Sequence, residues 1–583
     1  MIKNSHAAFL IQSLILFLPI NVYIVGDWVG CGIQWALFRY QVSYFGESLI
    51  GFTNEILYVY TGIIQGRSAI ALIIWAIAAT VLIFCFMVNI YAVFSDTPTL
   101  IQNTFLCSII IGILFLLADL MQYGLSLHNS AGICIPIGVP AIILVGVSGY
   151  TFTKRTHQTA SEFIPGFMEW PVFKENKNLL RLTDSRALQN LLVLIGISVL
   201  VKYILFFSSL YAPFDSVTGD ILLYYHYAGL VVGGQIPYAD FLLEYPPLLF
   251  IPAIIAYIPT ILLHSFSLYL FSYMTLMYIF DAATLICVYF IARDFYGNKK
   301  AFLCGFLYVT AIAAAFFVPL TYDIVATFLL ILSFFLFLNR NIVAAYFTAT
   351  FGFLTKWFPV FTFPFYTIYA IKKQRDIVKV RNGILLSILA VLVVSVPFAL
   401  LNWKGFLFTY TFHLNRSIQT HSMIYYGDAI SHFFLNGEYF SPFSLVLLIV
   451  AETGLIFWYY RYMDMEYQSL CYALFLSVFF FILFNKVFSA SYIVWITPFL
   501  ALFLAHSPRH ILLFYLSQLV IYIETPLLYG VVFGDGKPYY VIEQNFLSFS
   551  FVFYSIKFLI LAVVLWIIMR DIVNTHKMMK RTD

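Results

Sequence analysis

Long apolar runs, interrupted by short polar connections, extend along most of the chain. A membrane-spanning helix needs about 20 mainly apolar residues. Four such helices are predicted in the N-terminal part, at 6–26, 69–94, 104–122 and 131–152. About twelve more are predicted near 187–211, 267–292, 301–320, 323–339, 342–355, 357–371, 384–402, 444–461, 468–486, 490–506, 510–531 and 550–570. The pattern therefore predicts an all-α, polytopic bundle of roughly 16 spans.

Two apolar stretches depart from the pattern of a simple span. Residues 246–264 contain four prolines, and a crossing there would place the basic residues after 292 on the wrong side. We therefore expect a helix that lies in the outer interface or only dips into the membrane. The short segments 342–355 and 357–371 meet at Lys356, which predicts a broken helix of the kind that lines a cavity. Residues 27–67, with many aromatics and few charges, predict an extramembrane or interfacial loop.

The basic residues set the predicted orientation. They concentrate in 153–186, in 372–381 and in the C-terminal tail, and such segments stay in the cytoplasm. Both termini are then cytoplasmic, and the loops 213–250 and 403–443 face outward. The basic segment also predicts a boundary between a four-span accessory region, 1–186, and a second membrane domain, 187–583.

Composition narrows the class of protein. Hydrophobic residues make up 62% of the 583 residues and charged residues only 10%, whereas soluble proteins carry about a quarter charged residues. This composition indicates a multi-pass protein of the cell membrane. The net charge of +4 is small and scattered, which argues against nucleic acid as a partner. The seven cysteines form no CxxC pair, so we predict no disulfide framework, metal site or cofactor.

The stretch from Pro213 to Phe250 concentrates acidic residues in a chain that has few of them. It carries Asp215, Asp220, Asp240 and Glu244, and it contains no Lys or Arg. On the predicted topology, polar groups from other segments converge on the same outer face: Asp323, Lys356, His413, Arg416, Gln419, Ser422, Asn485 and Lys486. Ionisable residues near membrane depth are costly and are candidates for function.

Each of these residues also has a structural interpretation. Asp220 and Asp323 can cap the helices that follow them, and Lys356 can extend its amine to the interface. Asp240 and Glu244 flank prolines and can serve as loop scaffolding. His413 and Arg416 can be ordinary solvated residues, and Asp281, within a span, has no evident partner.

The combination indicates one kind of chemistry. A carboxylate at the membrane surface can deprotonate a hydroxyl group as a general base. A phosphate leaving group needs positive charge, which Arg and Lys supply when no metal is bound. A cavity between broken helices admits a lipid tail from the side. Together these features suggest transfer of a group from a lipid-phosphate donor.

The same segments resemble a known superfamily. Asp220, Tyr224 and the sequence GGQIPYADFLLEYPPL are similar to the first external loop of GT-C membrane glycosyltransferases. The resemblance is to the polyprenyl-phosphomannose-dependent mannosyltransferases (glycosyltransferase family 87) in particular. It continues in TYDIVATF, LTKWFPVFTFP, HLNRSIQTHS and NKVFSASYIVWITP and covers about 187–570. The accessory region, 1–186, lies outside it.

The resemblance implies an inverting, metal-independent transfer of a hexose, mannose in this family, from a polyprenyl-phosphate donor. The acceptor would be a lipid, a glycan or a protein, and membrane lipids would surround the site. Asp220 would be the catalytic base, supported by Asp323. Expected at the donor phosphate are Lys356, Arg416, His413 and Lys486, and expected at the substrate are Asp215, Tyr224, Tyr238, Asp240, Glu244 and Gln419. The WWDYG-type and DxD motifs of oligosaccharyltransferases are absent from the sequence.

Two other functions remain open at the level of sequence. A membrane transporter or lipid flippase also uses broken helices and buried charge. The clustering of the polar groups on one predicted face and the lack of an internal repeat argue against it. A relative that binds lipid-linked sugar without catalysis is the third possibility, which the intact Asp220 disfavours.

Overall fold

The computed structural model describes residues 11–12, 14–16, 18–26, 29–44, 46–95, 98–156, 185–207, 219–261, 265–416, 418–419, 421–435, 440, 443–527 and 549–579. Asp215, most of the basic segment 153–186 and the first ten residues lie outside these ranges. The chain forms two compact units, Met1–Tyr211 and Ala212–Asp583.

The first unit contains a six-stranded antiparallel sheet, with strand order β4-β3-β2-β1-β6-β5. The strands are β1 Asn21–Val25, β2 Gly30–Gln34, β3 Phe38–Ser43, β4 Gly46–Gly51, β5 His128–Asn129 and β6 Gly132–Ile135. In the register, Tyr23 of β1 is opposite Gly32 of β2 and Cys134 of β6. Gly46 turns the chain between β3 and β4 with φ of 111°, a conformation that favours glycine.

This sheet corrects three predictions. The predicted span 6–26 ends in a strand, because Asn21–Val25 pairs on both sides. The predicted span 131–152 begins with β6 before its helix starts at Val139. The predicted loop 27–67 contains three strands and a helix. The chain is therefore mainly helical, as predicted, but not exclusively so.

Five helices complete the described part of the first unit: α1 Phe52–Tyr60, α2 Gly66–Ser95, α3 Pro98–Tyr123, α4 Val139–Thr156 and α5 Ser185–Phe207. Helices α2 and α3 form a hairpin, since only two residues separate them. The sheet connects to this hairpin where α2 begins and α3 ends. The sequence prediction placed α5 at the start of the second domain, whereas the structure includes it in the first unit.

The described part of the second unit is helical. Its helices are α6 Gly219–Val232, α7 Phe250–Tyr257, α8 Phe266–Tyr296, α9 Asn298–Val309, α10 Ile312–Phe317, α11 Asp323–Leu338, α12 Ile342–Thr355, α13 Thr362–Tyr369, α14 Ile377–Leu401, α15 Trp403–Asn415, α16 Met423–Leu435, α17 Ser444–Tyr462, α18 Tyr467–Leu483, α19 Ile493–Leu504, α20 Pro508–Tyr522 and α21 Phe549–Met579.

Among the described residues, seven helices are long and apolar enough to cross a membrane: Gly66–Tyr91, Leu100–Tyr123, Arg186–Leu205, Phe266–Tyr296, Ile377–Leu401, Ser444–Tyr462 and Val552–Ile572. Shorter apolar helices occur at Val139–Thr151, Pro247–Thr260, Asp323–Leu338, Ile342–Thr355, Tyr467–Leu483 and Ala490–Leu504. Helices of this length and composition indicate a membrane protein.

The predicted helix break at Lys356 is present. Helix α12 ends at Thr355, and Lys356 adopts an extended conformation with φ of −155° and ψ of 143°. A short 3-10 helix, Phe358–Phe361, then leads into α13. Pro359 fixes its own φ and has no N–H to donate, so it favours an interruption of the helical hydrogen bonds at this point. The break places a lysine among apolar helices.

Candidate functional site

Asp323 lies at the buried end of the site, in the first turn of α11. Its side chain is only 1% exposed and pairs with Lys356 Nζ through Oδ1. Trp495 Nε1 donates a second hydrogen bond of 3.0 Å to the same oxygen. A buried carboxylate needs such partners, because burial of an uncompensated charge is strongly unfavourable. The carboxylate therefore organises the site in addition to starting its helix.

Lys356 lies on the helix break and points at three aromatic rings. Its Nζ is 4.7 Å from the ring centre of Tyr322, 5.2 Å from Tyr492 and 5.0 Å from Trp495. Its side chain remains 20% exposed. The amine therefore does not extend along the surface: it is held beside Asp323, and the rings stabilise its charge.

Tyrosine rings line the region between α6, α8 and α11. The ring of Tyr224 is 6.1 Å from Tyr245, 5.7 Å from Tyr273 and 5.5 Å from Tyr322. Tyr245 and Tyr322 contact each other edge to face at 5.3 Å. Aromatic pairs at these distances stabilise one another, so the rings fix the relative positions of three helices.

Asp220 lies in the first turn of α6, with an exposed side chain. Three charged groups act on it: Lys356 and Arg416 attract the carboxylate, and Asp323 repels it. The surrounding protein displaces water from the carboxylate, and this desolvation raises the pKa of Asp220 above its ordinary value. A carboxylate with a raised pKa is a stronger base when it is ionised.

Arg416 follows the end of α15 and supplies the second positive charge near Asp220. Its charge also acts on Glu244, Tyr245 and Tyr492. Desolvation raises the pKa of Glu244, Arg416 lowers it and Asp220 raises it further. Glu244 therefore interacts electrostatically with both Asp220 and Arg416, and its role at the substrate stays a prediction.

His413 holds the first loop in place. Its Nε2 donates a 2.9 Å hydrogen bond to the carbonyl oxygen of Glu244, and its ring contacts Trp357 at 4.8 Å. Burial lowers the pKa of His413, with a smaller opposing contribution from the Glu244 carbonyl. The imidazole is thus neutral at physiological pH, and its contacts are those of a positioning group rather than of a phosphate-binding cation.

Gln419 and Lys486 connect two loops instead of reaching Asp323. The backbone N–H of Gln419 donates to the backbone carbonyl of Lys486 at 3.0 Å, and Lys486 Nζ donates to the backbone carbonyl of Leu414 at 3.4 Å. Gln419 Oε1 also accepts from His421 at 2.6 Å. Burial lowers the pKa of His421 to about 3. These contacts hold the segment that carries Arg416 against the loop that precedes α19.

Tyr238 and Asp240 shape the first loop. The Tyr238 hydroxyl donates to the Tyr245 carbonyl at 2.6 Å, and its buried ring contacts Phe398 and Phe406. Asp240 Oδ2 accepts from the amide of Ile236 at 2.7 Å. Both residues therefore have the scaffolding contacts that the sequence analysis considered for Asp240.

The structure thus brings together Asp220, Tyr224, Glu244, Asp323, Lys356 and Arg416, which we call the charge cluster. Sequence reasoning missed Tyr245, Tyr273, Tyr322, Tyr492 and Trp495. Four of these lie inside the motifs quoted above, beside residues that were selected, and Tyr273 had no distinguishing signal. In the described ranges, no group of three His, Cys, Asp or Glu residues is arranged to hold a metal ion.

Comparison of the chain with protein-family models and with curated proteins finds no match.

Proposed function

We propose that this protein is a membrane glycosyltransferase that moves a hexose, mannose by resemblance, from a polyprenyl-phosphate donor to an acceptor hydroxyl. One observation carries the proposal: Asp220 shares its electrostatic environment with two cations, Lys356 and Arg416, next to a cluster of buried tyrosine rings. A base beside a cationic patch is what transfer from a phosphate leaving group requires.

In the proposed reaction, Asp220 takes the proton of the acceptor hydroxyl. The acceptor oxygen attacks the anomeric carbon from the face opposite the phosphate, and the configuration inverts. The bond between that carbon and the phosphate oxygen breaks, and the phosphate leaves with the electron pair. Arg416 and Lys356 stabilise the new charge on the phosphate, since arginine can bind it with two parallel hydrogen bonds.

Asp323 and Trp495 have supporting roles in this proposal. The carboxylate holds Lys356 Nζ, and the indole N–H fixes the same oxygen. The rings of Tyr322 and Tyr492 lie against the Lys356 amine and help to hold it in place. Catalytic groups that are held before substrate binds need not reorganise during the reaction.

We further propose a cell-membrane topology of about 16 spans, with both termini in the cytoplasm and the charge cluster at the outer face. The seven long and six shorter apolar helices support a multi-span arrangement, and the basic segments support the orientation. The donor would then reach the site from the membrane, and the acceptor from the membrane or from outside.

Donor consumption tests the proposal. Purified protein in lipid would be incubated with radiolabelled polyprenyl-phosphate hexoses, with a membrane extract as the source of acceptor, with and without EDTA. We expect the sugar of one donor to be transferred equally in both conditions. If no donor is consumed, or if EDTA stops the transfer, the proposal fails.

The alternative is a transporter or lipid flippase, which the break between α12 and α13 favours because discontinuous helices form many transport sites. Movement of a labelled polyprenyl-phosphate lipid across vesicle membranes, without loss of its sugar, would support that function instead.

A further inference from the structure

A basic segment, residues 371–382, joins α13 to α14, and the proposed transfer reaction uses none of it. It contains one carboxylate, Asp376, and five cationic side chains: Lys372, Lys373, Arg375, Lys379 and Arg381. All five cationic side chains are exposed. The segment set the predicted orientation of the chain, but what its charge would bind is a separate question.

Carboxylates neutralise two of the five cations. Lys373 Nζ pairs with Oε1 of Glu466, the residue before α18, at 3.0 Å, and Lys379 Nζ pairs with Asp376 Oδ2 at 2.6 Å. In the part of the chain that the structure describes, no ion pair is formed by Lys372, Arg375 or Arg381. Three positive charges therefore remain without a neutralising carboxylate.

The contacts of these cations are with neutral groups. Lys372 Nζ lies 3.4 Å from the ring centre of Tyr460 and donates to the carbonyl oxygen of the same residue. Arg381 donates from Nε and Nη2 to Asn382 Oδ1 at 3.4 and 3.3 Å. A guanidinium has five N–H donors, so most of those of Arg381 remain available. The segment can therefore still bind an anion.

Helix α14 shows what surrounds this segment. Residues Ile377–Leu401 are long and apolar enough to cross a membrane, and only 6% of their most apolar stretch is buried in the protein. The exposed side chains include Ile377, Val378, Leu385 and Leu389. On a spanning helix, exposed side chains of this kind lie in the hydrocarbon of the bilayer. Lipid acyl chains therefore lie along most of α14.

The cations lie at the headgroup end of the same helix. Arg375 is two residues before the start of α14, and Arg381 is four residues after Ile377, about 6 Å along the axis at 1.5 Å per residue. The polar region of one leaflet is about 5–7 Å thick. A lipid whose tails pack on α14 would therefore place its phosphate near both arginines.

We propose that the segment 371–382 binds the headgroup of an anionic phospholipid whose acyl chains lie against α14. Arg375 and Arg381 would bind the phosphate, since arginine can donate two parallel hydrogen bonds to it, and Lys372 would add attraction. A zwitterionic lipid carries a cation of its own, which the uncompensated positive charge repels. The proposal does not depend on the proposed transferase activity.

Photocrosslinking in a bilayer tests the proposal at the site itself. The full-length protein would be placed in nanodiscs of equal parts phosphatidylglycerol and phosphatidylcholine, with a trace of one of the two lipids carrying a diazirine in its acyl chain. Mass spectrometry would then count adducts on residues 377–389. Because one cation near a headgroup gives about a fivefold preference for negative charge, we expect at least about fivefold more adducts from phosphatidylglycerol. In Arg375→Gln with Arg381→Gln the ratio should fall towards one.

A matched pair of substitutions separates a local site from net charge. Lys404→Gln with Arg570→Gln also removes two exposed cations. Lys404 lies beyond the other end of α14, and Arg570 Nη2 is 3.5 Å from the Asp571 carboxylate. This pair should keep the adduct ratio on α14, and both double variants should keep the wild-type unfolding temperature. An equal loss in the control pair would show that the lipid follows the net charge of the protein, and would overturn the proposal.

Glycerol 1-phosphate distinguishes a lipid from a soluble anion. Added in excess, it should leave the adduct ratio unchanged, because it has no acyl chains to pack on α14. If it removes the preference for phosphatidylglycerol when present at the same concentration as the lipid, a soluble anion is the occupant and the proposal is wrong. Equal numbers of adducts from the two lipids in the wild-type protein would also overturn it.

Discussion

Two buried lysine–carboxylate pairs in the second unit have the same chemistry and different surroundings. Lys557 and Glu524 form an ion pair of 2.7 Å in which both side chains are at most 1% exposed. Lys356 and Asp323 pair on the helix break, with Lys356 20% exposed and other charges nearby. A buried ion pair alone therefore does not indicate a functional site. Solvent exposure and neighbouring charges distinguish Lys356, which the proposed function places at the substrate, from Lys557, which stabilises the fold.

The Lys557–Glu524 pair also has a structural role. Lys557 Nζ lies 4.2 Å from the ring centre of Phe488, and it donates to the carbonyl of His421 at 3.4 Å. It thereby ties α21 to both loops that border the charge cluster. In the part of the chain that the structure describes, the hydrogen-bond partner of Lys356 Nζ is the Asp323 carboxylate, so the Lys356–Asp323 pair makes no comparable tie to a backbone carbonyl.

The largest expected effect is on stability, in Lys557→Met. Removing the lysine leaves the buried Glu524 charge uncompensated, which costs about 3–5 kcal/mol of unfolding free energy. Unfolding in detergent should show a large fall in midpoint temperature. The double variant Lys557→Met with Glu524→Gln should recover much of the loss. A single variant that unfolds like the wild type would contradict the assignment of this pair as a brace.

The second-largest expected effect is a loss of activity when Lys356 is replaced. Lys356→Met should lower kcat for transfer about 10²–10³-fold, the usual loss when one group that stabilises transition-state charge is removed. Its unfolding temperature should fall less than that of Lys557→Met, because Asp323 keeps the Trp495 hydrogen bond. Lys486→Met, whose amine bonds only to a backbone carbonyl in the structure, should retain most activity. If the Lys486 variant is the more damaged of the two, the roles are wrongly assigned.

The smallest expected effect is a shift in the pH profile. Transfer needs Asp220 ionised, so the rate should fall as pH drops through the pKa of Asp220, which desolvation raises above the ordinary value. Arg416 lowers that pKa, so Arg416→Gln should move the acid limb to higher pH. Lys486→Gln should leave it in place. An acid limb that moves to lower pH in Arg416→Gln would contradict the electrostatic effect of Arg416 on Asp220.

The sequence was informative where charge interrupts apolar runs. Lys356 was predicted at a helix break because two apolar segments too short for a comfortable span meet there, and the break is present. Asp323 was selected because it opens an apolar helix, and it does so. In both cases the charged residue lies among apolar residues, where burial of a charge has a high energetic cost. Such a residue therefore indicates a specific structural or functional role.

The sequence was uninformative where the decisive residues share the common composition. Aromatic residues make up 20% of the chain, so Tyr492 and Trp495 did not differ from their surroundings. The sheet was missed because Asn21–Val25 continues an apolar run, and a short run of β-branched residues has no period that separates strand from helix. Its partner β6 begins more than 100 residues later, a pairing that local pattern does not encode.

The most direct test of the central claim compares Asp220 with the buried Asp281 in one assay. Asp220→Asn and Asp281→Asn would be reconstituted in lipid, and single-turnover transfer from the polyprenyl-phosphate hexose that the wild-type protein consumes would be followed in the presence of EDTA. If the central claim is correct, we expect Asp220→Asn to keep the wild-type unfolding temperature and to lose transfer about 10²–10⁴-fold, the range for a general base, and we expect near-normal transfer by Asp281→Asn. Transfer by Asp220→Asn at the wild-type rate would contradict it.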